Sequence, residues 1–290
     1  MKYEAICTYS SEYSVRKMCE VLGQRESSYY QWCSRLRRRL EKRESEEEII
    51  RKVGEVFEGS KRVYGYRKMH RALVKEGYDL SEYKVRKIMR ESGYFPVVVQ
   101  KYRPNRKGKI DGRFFENKVN QNFKVESPNR IWTGDITYIR TRIGFVYLAV
   151  VIDLYNREIV GYSISKEIDA ELTKAALGNA LARRGKSRDN LIFHSDRGCQ
   201  YSSKSYQAML KTNEIEGSMS RPACPYDNAC AESFFSNAKR ECIYRKEYDG
   251  LEEVKRDLFE YIELFYNRKR IHAALGYLSP VEYRLSKEAA

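Results

Sequence analysis

The chain has 290 residues, 42% hydrophobic and 33% charged, with a formal net charge of +15, the profile of a soluble globular protein with room for two domains. Its longest apolar run, 144–152, is too short to span a bilayer, and its N-terminus lacks a signal-peptide core. The seven cysteines fit no zinc finger and no paired spacing, so reduced thiols in a cytoplasmic protein are expected.

The charge is unevenly spread. Residues 1–130 hold 31 Lys and Arg against 18 Asp and Glu, whereas 131–290 hold 24 against 22. A front half at +13 joined to a back half at +2 predicts a polyanion-binding module beside a balanced domain. No stretch shows a clean apolar face ending in aromatics, so nucleic acid is the expected polyanion and no membrane partner is predicted.

Residues 11–33 read as a helical pair. Ser14 caps the first helix, which carries Val15, Met18, Cys19 and Leu22 and stops at Gly23; the second is short and carries Tyr29, Tyr30 and Trp32. The run 35–52 is dense in charge and reads as a solvated helical surface. A helix through Ile49, Ile50, Val53, Val56 and Phe57 breaks at Gly59, and another places Met69, Leu73 and Val74 at helical spacing. After a turn at 77–81, Ser81 caps a helix with Val85, Ile88 and Met89 inward. Two helices about a Gly-containing turn resemble a helix-turn-helix, whose outward Lys84, Arg86, Lys87 and Arg90 would meet DNA. The alternative is a plain three-helix bundle with a basic exterior.

These patterns divide the chain into an N-terminal helical segment (1–44), a helix-turn-helix-like DNA-binding domain (45–95), a basic linker (96–127) with one short strand near 114–123, and an α/β domain (128–285). In that last domain IWTGDITYIRT, FVYLAVVID and REIVGYSIS read as three strands at hairpin spacing, with a turn at 155–156. DAELTKAALGNALARR follows as a helix with Leu172, Ala175, Ala176 and Ala180 inward. Then come a buried strand (LIFHS), a helix (YSSKSYQAMLKTN), a last strand (EIEGSMS) and helices over 228–242 and 251–272. That order predicts a ribonuclease H-like α/β domain, a five-stranded mixed sheet flanked by helices, behind an all-α helix-turn-helix region.

Three carboxylates carry the chemistry. Asp135 lies mid-strand, with Thr133 and Thr137 on its side and Trp132, Ile136 and Tyr138 on the other. Asp196 ends a short apolar strand, where α/β sheets present ligand-binding groups. Glu232 follows 35 residues later in the first turns of a helix that Asp227 or Asn228 can cap and that buries Ala231, Phe235, Ala238 and Cys242. Lys239, two turns on and on the same side, suits a phosphate. Three gathered carboxylates repel one another without a cation, so two Mg²⁺ ions are expected, with Mn²⁺ as a working substitute. Such a pair serves both hydrolysis and strand transfer, in which a liberated 3′-hydroxyl attacks a second phosphodiester.

The segments WTGDITYI, YLAVVIDLYNREIVGYSIS, HSDRGCQYSS, SMSRPACPYDNACAESFFSNAKRE and FYNRKRIHAALGYLSP together resemble the retroviral-integrase-like DDE transposases, most closely the second-frame product of insertion sequence family three. SVRKMCEVLGQRESSYYQW and VYGYRKMHRAL resemble the same family's front half, less specifically. The resemblance implies DNA cleavage and strand transfer by Asp135, Asp196 and Glu232 as the metal-binding triad, Lys239 as a phosphate contact, and Tyr266, Asn267, Arg270 and His272 as a terminal-helix motif. It implies double-stranded DNA partners (element ends and target), a homo-oligomeric synaptic complex, a frameshift fusion to an upstream first-frame product, and residence with the bacterial nucleoid. Two departures stand out: Cys199 where the family usually has Ser, and RPACPYDN in place of RKGNPYDN.

Further candidates are His194 and Asn228 as active-site support, and Arg197, Gln200 and Arg270 as DNA contacts. Strand-end packing is the rival role for His194, and helix packing for Arg270. Asp153 reads as a turn residue. A domesticated, non-cleaving DNA-binding regulator is the alternative function, which the loss of one acid would favour. A retroviral integrase would need a zinc-binding His/His/Cys/Cys module that three scattered histidines cannot build, and a ribonuclease H fits the 35-residue spacing and Lys239 less well.

Overall fold

The computed structural model describes residues 1–97, 114–120, 125–185, 190–221 and 225–288. They form two compact units: Met1–Gly59 with Met69–Phe95, and Ser60–Lys68 with Pro96–Ala290.

In the front unit α1 (Lys2–Thr8) was not anticipated, whereas α2 (Val15–Val21) begins after Ser14 and ends before Gly23, whose φ of 65° favours glycine. The main difference from the sequence reading is α3 (Glu26–Gly59), one helix of 34 residues in place of two helices and a charged surface. Pro is absent from it and pairs such as Arg51–Glu55 brace its surface, so nothing breaks it. One end of α3 packs Tyr29 on Ile6 and Cys19. At the other, Val53 and Phe57 are buried, and Phe57 lies 5.3 Å from the Tyr94 ring. α4 (Tyr66–Lys75) buries Met69 and Leu73 but leaves Val74 44% exposed. α5 (Glu82–Glu91) is capped by Ser81, whose hydroxyl accepts the Lys84 N–H, and buries Val85, Ile88 and Met89.

In the second unit the described linker residues 114–120 contain no strand, and 121–123 fall outside the described residues. The sheet has the order β3-β2-β1-β4-β5. β1 (Ile131–Thr141), β2 (Gly144–Asp153) and β3 (Ile159–Ser165) form an antiparallel meander; β4 (Ile192–Ser195) runs parallel to β1, and β5 (Glu216–Met219) parallel to β4. On one face Trp132, Val151 and Phe193 pack with Leu172, Ala176 and Leu177 of α6 (Ala170–Arg184). Ala175, expected inward, is exposed. α7 (Cys199–Ser202) and α8 (Lys204–Thr212) add Tyr201, Tyr206 and Leu210 to that core. This strand order and direction is that of a ribonuclease H-like domain.

α9 (Ala229–Glu241) packs against β1 and β2. α10 (Leu251–Phe259) continues as a π-helical segment, Glu260–Tyr266, that stops short of the expected end at 272. Tyr64 explains the stop: its hydroxyl donates to the Lys269 carbonyl and accepts the Ile271 N–H, each at 3.0 Å, taking backbone groups a longer helix would use. A final helix, α11 (Pro280–Glu288), was not read from the sequence.

Candidate active site

Register places the first two acids. Thr133 pairs with His194 and Gly134 with Ser195 on parallel strands, so the next residue on each, Asp135 and Asp196, stand side by side. Asp135 is 8% exposed and its Oδ1 accepts the Ile136 N–H at 2.8 Å. Asp196 is half-buried and its Oδ1 accepts the Gly198 N–H at 2.9 Å. Glycines make this fit possible: a Cβ on Gly134 would come 2.5 Å from Phe193 Cζ, and one on Gly198 2.9 Å from Asp196 Oδ1. Beneath the pair lies the Tyr201 phenol, fully buried. Burial first, then Tyr206, Asp135 and Asp196, push it well above the ordinary tyrosine pKa, so it keeps its proton beside two carboxylates.

α9 is fastened across β1 by Asn228, whose Oδ1 accepts the Thr133 hydroxyl at 2.6 Å and whose Nδ2 donates to the Gly134 carbonyl at 3.4 Å. Asp227, fully buried, accepts the Arg221 N–H (2.9 Å), Arg221 Nη2 (3.1 Å) and Asn117 Nδ2 (2.8 Å). Neither side chain caps α9, contrary to the sequence reading, because both are spent on these ties. Glu232, one turn beyond Asn228, is exposed. Among the described residues no three His, Cys, Asp or Glu side chains stand close enough to hold a metal ion. The structure therefore brings Asp135 and Asp196 together and does not gather Glu232 with them.

The remaining candidates divide by environment. Lys239 Nζ lies 5.1 Å from the Tyr138 ring centre. Arg197 donates through Nε to the Ser220 carbonyl (2.9 Å) and stacks 4.7 Å from the Phe114 ring, while Gln200 Nε2 reaches the Ile168 carbonyl at 3.5 Å. His194 is buried between Ser218 Oγ (2.9 Å) and Ser220 Oγ (3.2 Å); burial lowers its pKa to about 4, so it is a neutral ring joining β4 to β5. Asp153 accepts the N–H groups of Asn129 and Tyr155 in its turn. Arg270, expected among the DNA contacts, is instead 5% exposed and held by Glu241 through two 2.7 Å hydrogen bonds. On α5 Arg86, Lys87 and Arg90 are exposed and Lys84 half-buried. Tyr201, five residues after Asp196, was not singled out from the sequence; its spacing in HSDRGCQY was the only signal.

The three acids thus lie on the central strand of a five-stranded sheet, at the adjoining strand end and on a helix tied to that strand. Models of the integrase core domain match residues 125–225 and 232–287, and a model of an HTH-like domain matches 44–102. The chain is 40% identical over 283 residues to the InsF transposase of insertion sequence IS3A from Escherichia coli K12, covering 98% of each chain. It is 38% identical over 251 residues to the transposase of IS904 from Lactococcus lactis, covering 86% of this chain and 98% of that one. A chain of a simian T-cell lymphotropic virus intasome in complex with the PP2A regulatory subunit B56 gamma aligns at TM-score 0.45 and 16% identity, covering 76% of this chain and 74% of that one. The chain belongs to the IS3 family of insertion-sequence transposases.

Proposed function

We propose that this transposase cleaves and joins DNA through Asp135, Asp196 and Glu232, with Mg²⁺, or Mn²⁺ in its place, as the ion held. The donor set fits hard divalent cations, being entirely oxygen and including two carboxylates at neighbouring register positions. When bound, such ions supply an activated attacking oxygen and stabilise the leaving one. Glu232, on an exposed side chain, joins the other two when cation and DNA arrive. Asn228 fixes the start of α9 on β1, so one helical turn sets the reach of Glu232. Lys239 and Arg197 contact phosphates, and the basic face of α5 contacts duplex DNA at the element ends and target. The setting is a homo-oligomeric synaptic complex in the bacterial cytoplasm, on the nucleoid, with the chain fused by frameshifting to a first-frame product.

The side-by-side placement of Asp135 and Asp196, with α9 tied to the same strand, carries this reading. No observation favours a non-cleaving regulator. Glu232→Gln in the full chain should reduce Mg²⁺-dependent cleavage and joining of end DNA to background while leaving duplex affinity unchanged. Retained joining in that variant would overturn the assignment.

A further inference from the structure

A second face of α9 borders a cavity of about 270 Å³, within the same unit as the acids. Its walls carry Lys68, Arg157 and Arg270, together with His272 and with Ser233 and Asn237 of α9, and they include no carboxylate. Glu241 neutralises Arg270. The other two cations make no salt bridge with an acid among the described residues, although Glu241 acts on Lys68 at longer range: Lys68 Nζ lies 5.4 Å from the Tyr64 ring centre, and Arg157 Nη1 is 3.2 Å from Cys230 Sγ. One carboxylate, Glu241, is shared between Arg270 and Lys68, and Arg157 has none, so the recess is short of negative charge and favours an anion.

The backbone fixes one of these cations in place. Arg157 sits at φ 59° in the β2–β3 turn, which its own N–H closes onto the Asp153 carbonyl at 2.8 Å. Here it carries a guanidinium to the cavity wall. Burial and then Arg270 hold Lys68 down at about 8 against the pull of Glu241. Burial, then Arg270, Lys68 and Arg157, hold His272 near 2, so three cations act on one ring that stays neutral. The volume falls below the roughly 300 Å³ typical of small-molecule pockets and suits a single phosphate group. Ser233 and Asn237, four residues apart, add polar groups on one wall.

We infer that this cavity binds a backbone phosphodiester of the DNA on which the enzyme acts, away from the scissile phosphate. Ser233 lies about 100° around α9 from Glu232, so the two faces hold different points of the nucleic acid. The inference rests on the DNA-joining reading for its ligand, but its test reads binding rather than chemistry.

The test compares full-length wild type with Lys68→Gln, Arg157→Gly and the pair. Arg157→Gly removes the cation and relaxes the left-handed backbone, so it carries the test if Lys68→Gln fails to fold. Anisotropy of a labelled end duplex across a KCl series, and calorimetry with inorganic phosphate, are the readouts. Each single variant should weaken duplex binding about tenfold at low salt and reduce the log–log salt slope by about one. Lys68→Arg should retain both, and Glu232→Gln should leave the slope unchanged. Unchanged affinity and slope in a double variant with a wild-type melting profile would overturn the proposal. So would loss of inorganic phosphate binding alone, which would mark a site for free anions.

Discussion

Along α3 of the front unit residues 37–48 are all exposed, whereas in the catalytic unit Asp153, Glu158, Asp227 and Arg270 are each 5% exposed or less. The residue types are the same and their energetic roles differ. Exposed pairs on a helix contribute up to about 1 kcal/mol and are screened by salt. A buried ion is tolerated only with its partner, and removing one member costs about 3–5 kcal/mol. The front unit can thus carry many charges of both signs cheaply, 18 Lys and Arg against 15 Asp and Glu over 1–59 and 69–95, while in the catalytic unit each buried charge fixes one element to another. Arg270 joins the segment after the π-helical turn to the end of α9, and Asp227 joins Arg221 to the start of α9.

The largest effect that would break this comparison is at Arg270. Arg270→Ala should destabilise the catalytic unit by about 3–5 kcal/mol in denaturant melts, because Glu241, 11% exposed, loses its cation and keeps only the Tyr261 hydroxyl. Replacing both partners with apolar residues of similar volume should recover most of that loss. A single variant that melts like wild type would show the pair to be expendable. Thr133→Val ranks next. It removes the 2.6 Å hydroxyl bond to Asn228 and should cost about 1–3 kcal/mol. It should also slow joining more than it weakens duplex binding, since α9 would lose the shorter of its two ties beside Asp135 and keep only the 3.4 Å bond to the Gly134 carbonyl. Equal losses in both would argue against a positioning role.

The same contrast explains what the sequence made legible. The β1–β3 meander is readable because apolar runs of strand length alternate with turn residues. The three acids are readable because each sits in its own distinctive segment. Their mutual placement is not, because only the β1–β4 register sets Asp135 beside Asp196. The Arg270–Glu241 pair spans 29 residues and leaves no local pattern. The continuity of α3 is hidden for the opposite reason: its exposed middle has no apolar stripe, so periodicity marks only the two packed ends. α9 looks capped because Asp and Asn favour N-caps, yet tertiary partners claim both side chains. Residues 222–224 of the divergent RPACPYDN segment fall outside the described residues.

Buried titratable groups in the catalytic unit give a pH dependence of workable sign. His194 at about 4 and His272 at about 2 lie below the ordinary 6.5 because burial penalises imidazolium. As pH falls below 6.5 the unfolded chain takes up these protons first. The stability contributed by the neutral rings is therefore full above 6.5 and declines through 4 for His194, and on toward 2 for His272. Asp153 opposes this. Burial raises it to about 6 against the pull of its two N–H donors, so its contribution is full below 3.8 and is lost as pH rises through 6. Two groups against one predict a melting temperature that falls between pH 6.5 and 4, and more steeply in Asp153→Asn. A flat profile would mean that the imidazoles are not held neutral.

The smallest stability effects belong to the front unit and sharpen the comparison from its other side. Replacing Arg86, Lys87 and Arg90 with Gln, singly and together, should leave stability within about 0.5 kcal/mol per site, because these side chains already lie in water. Duplex affinity should fall more steeply at 50 mM salt than at 200 mM, and the log–log salt slope should drop by about 0.9 for each phosphate contact removed. Lys84, half-buried beside the Ser81 cap, should cost more stability than its neighbours and less salt slope. An unchanged slope in the triple variant would mean that the basic face of α5 serves solubility and that the DNA contacts lie elsewhere, since binding through α5 cannot survive the loss of its cations unaltered.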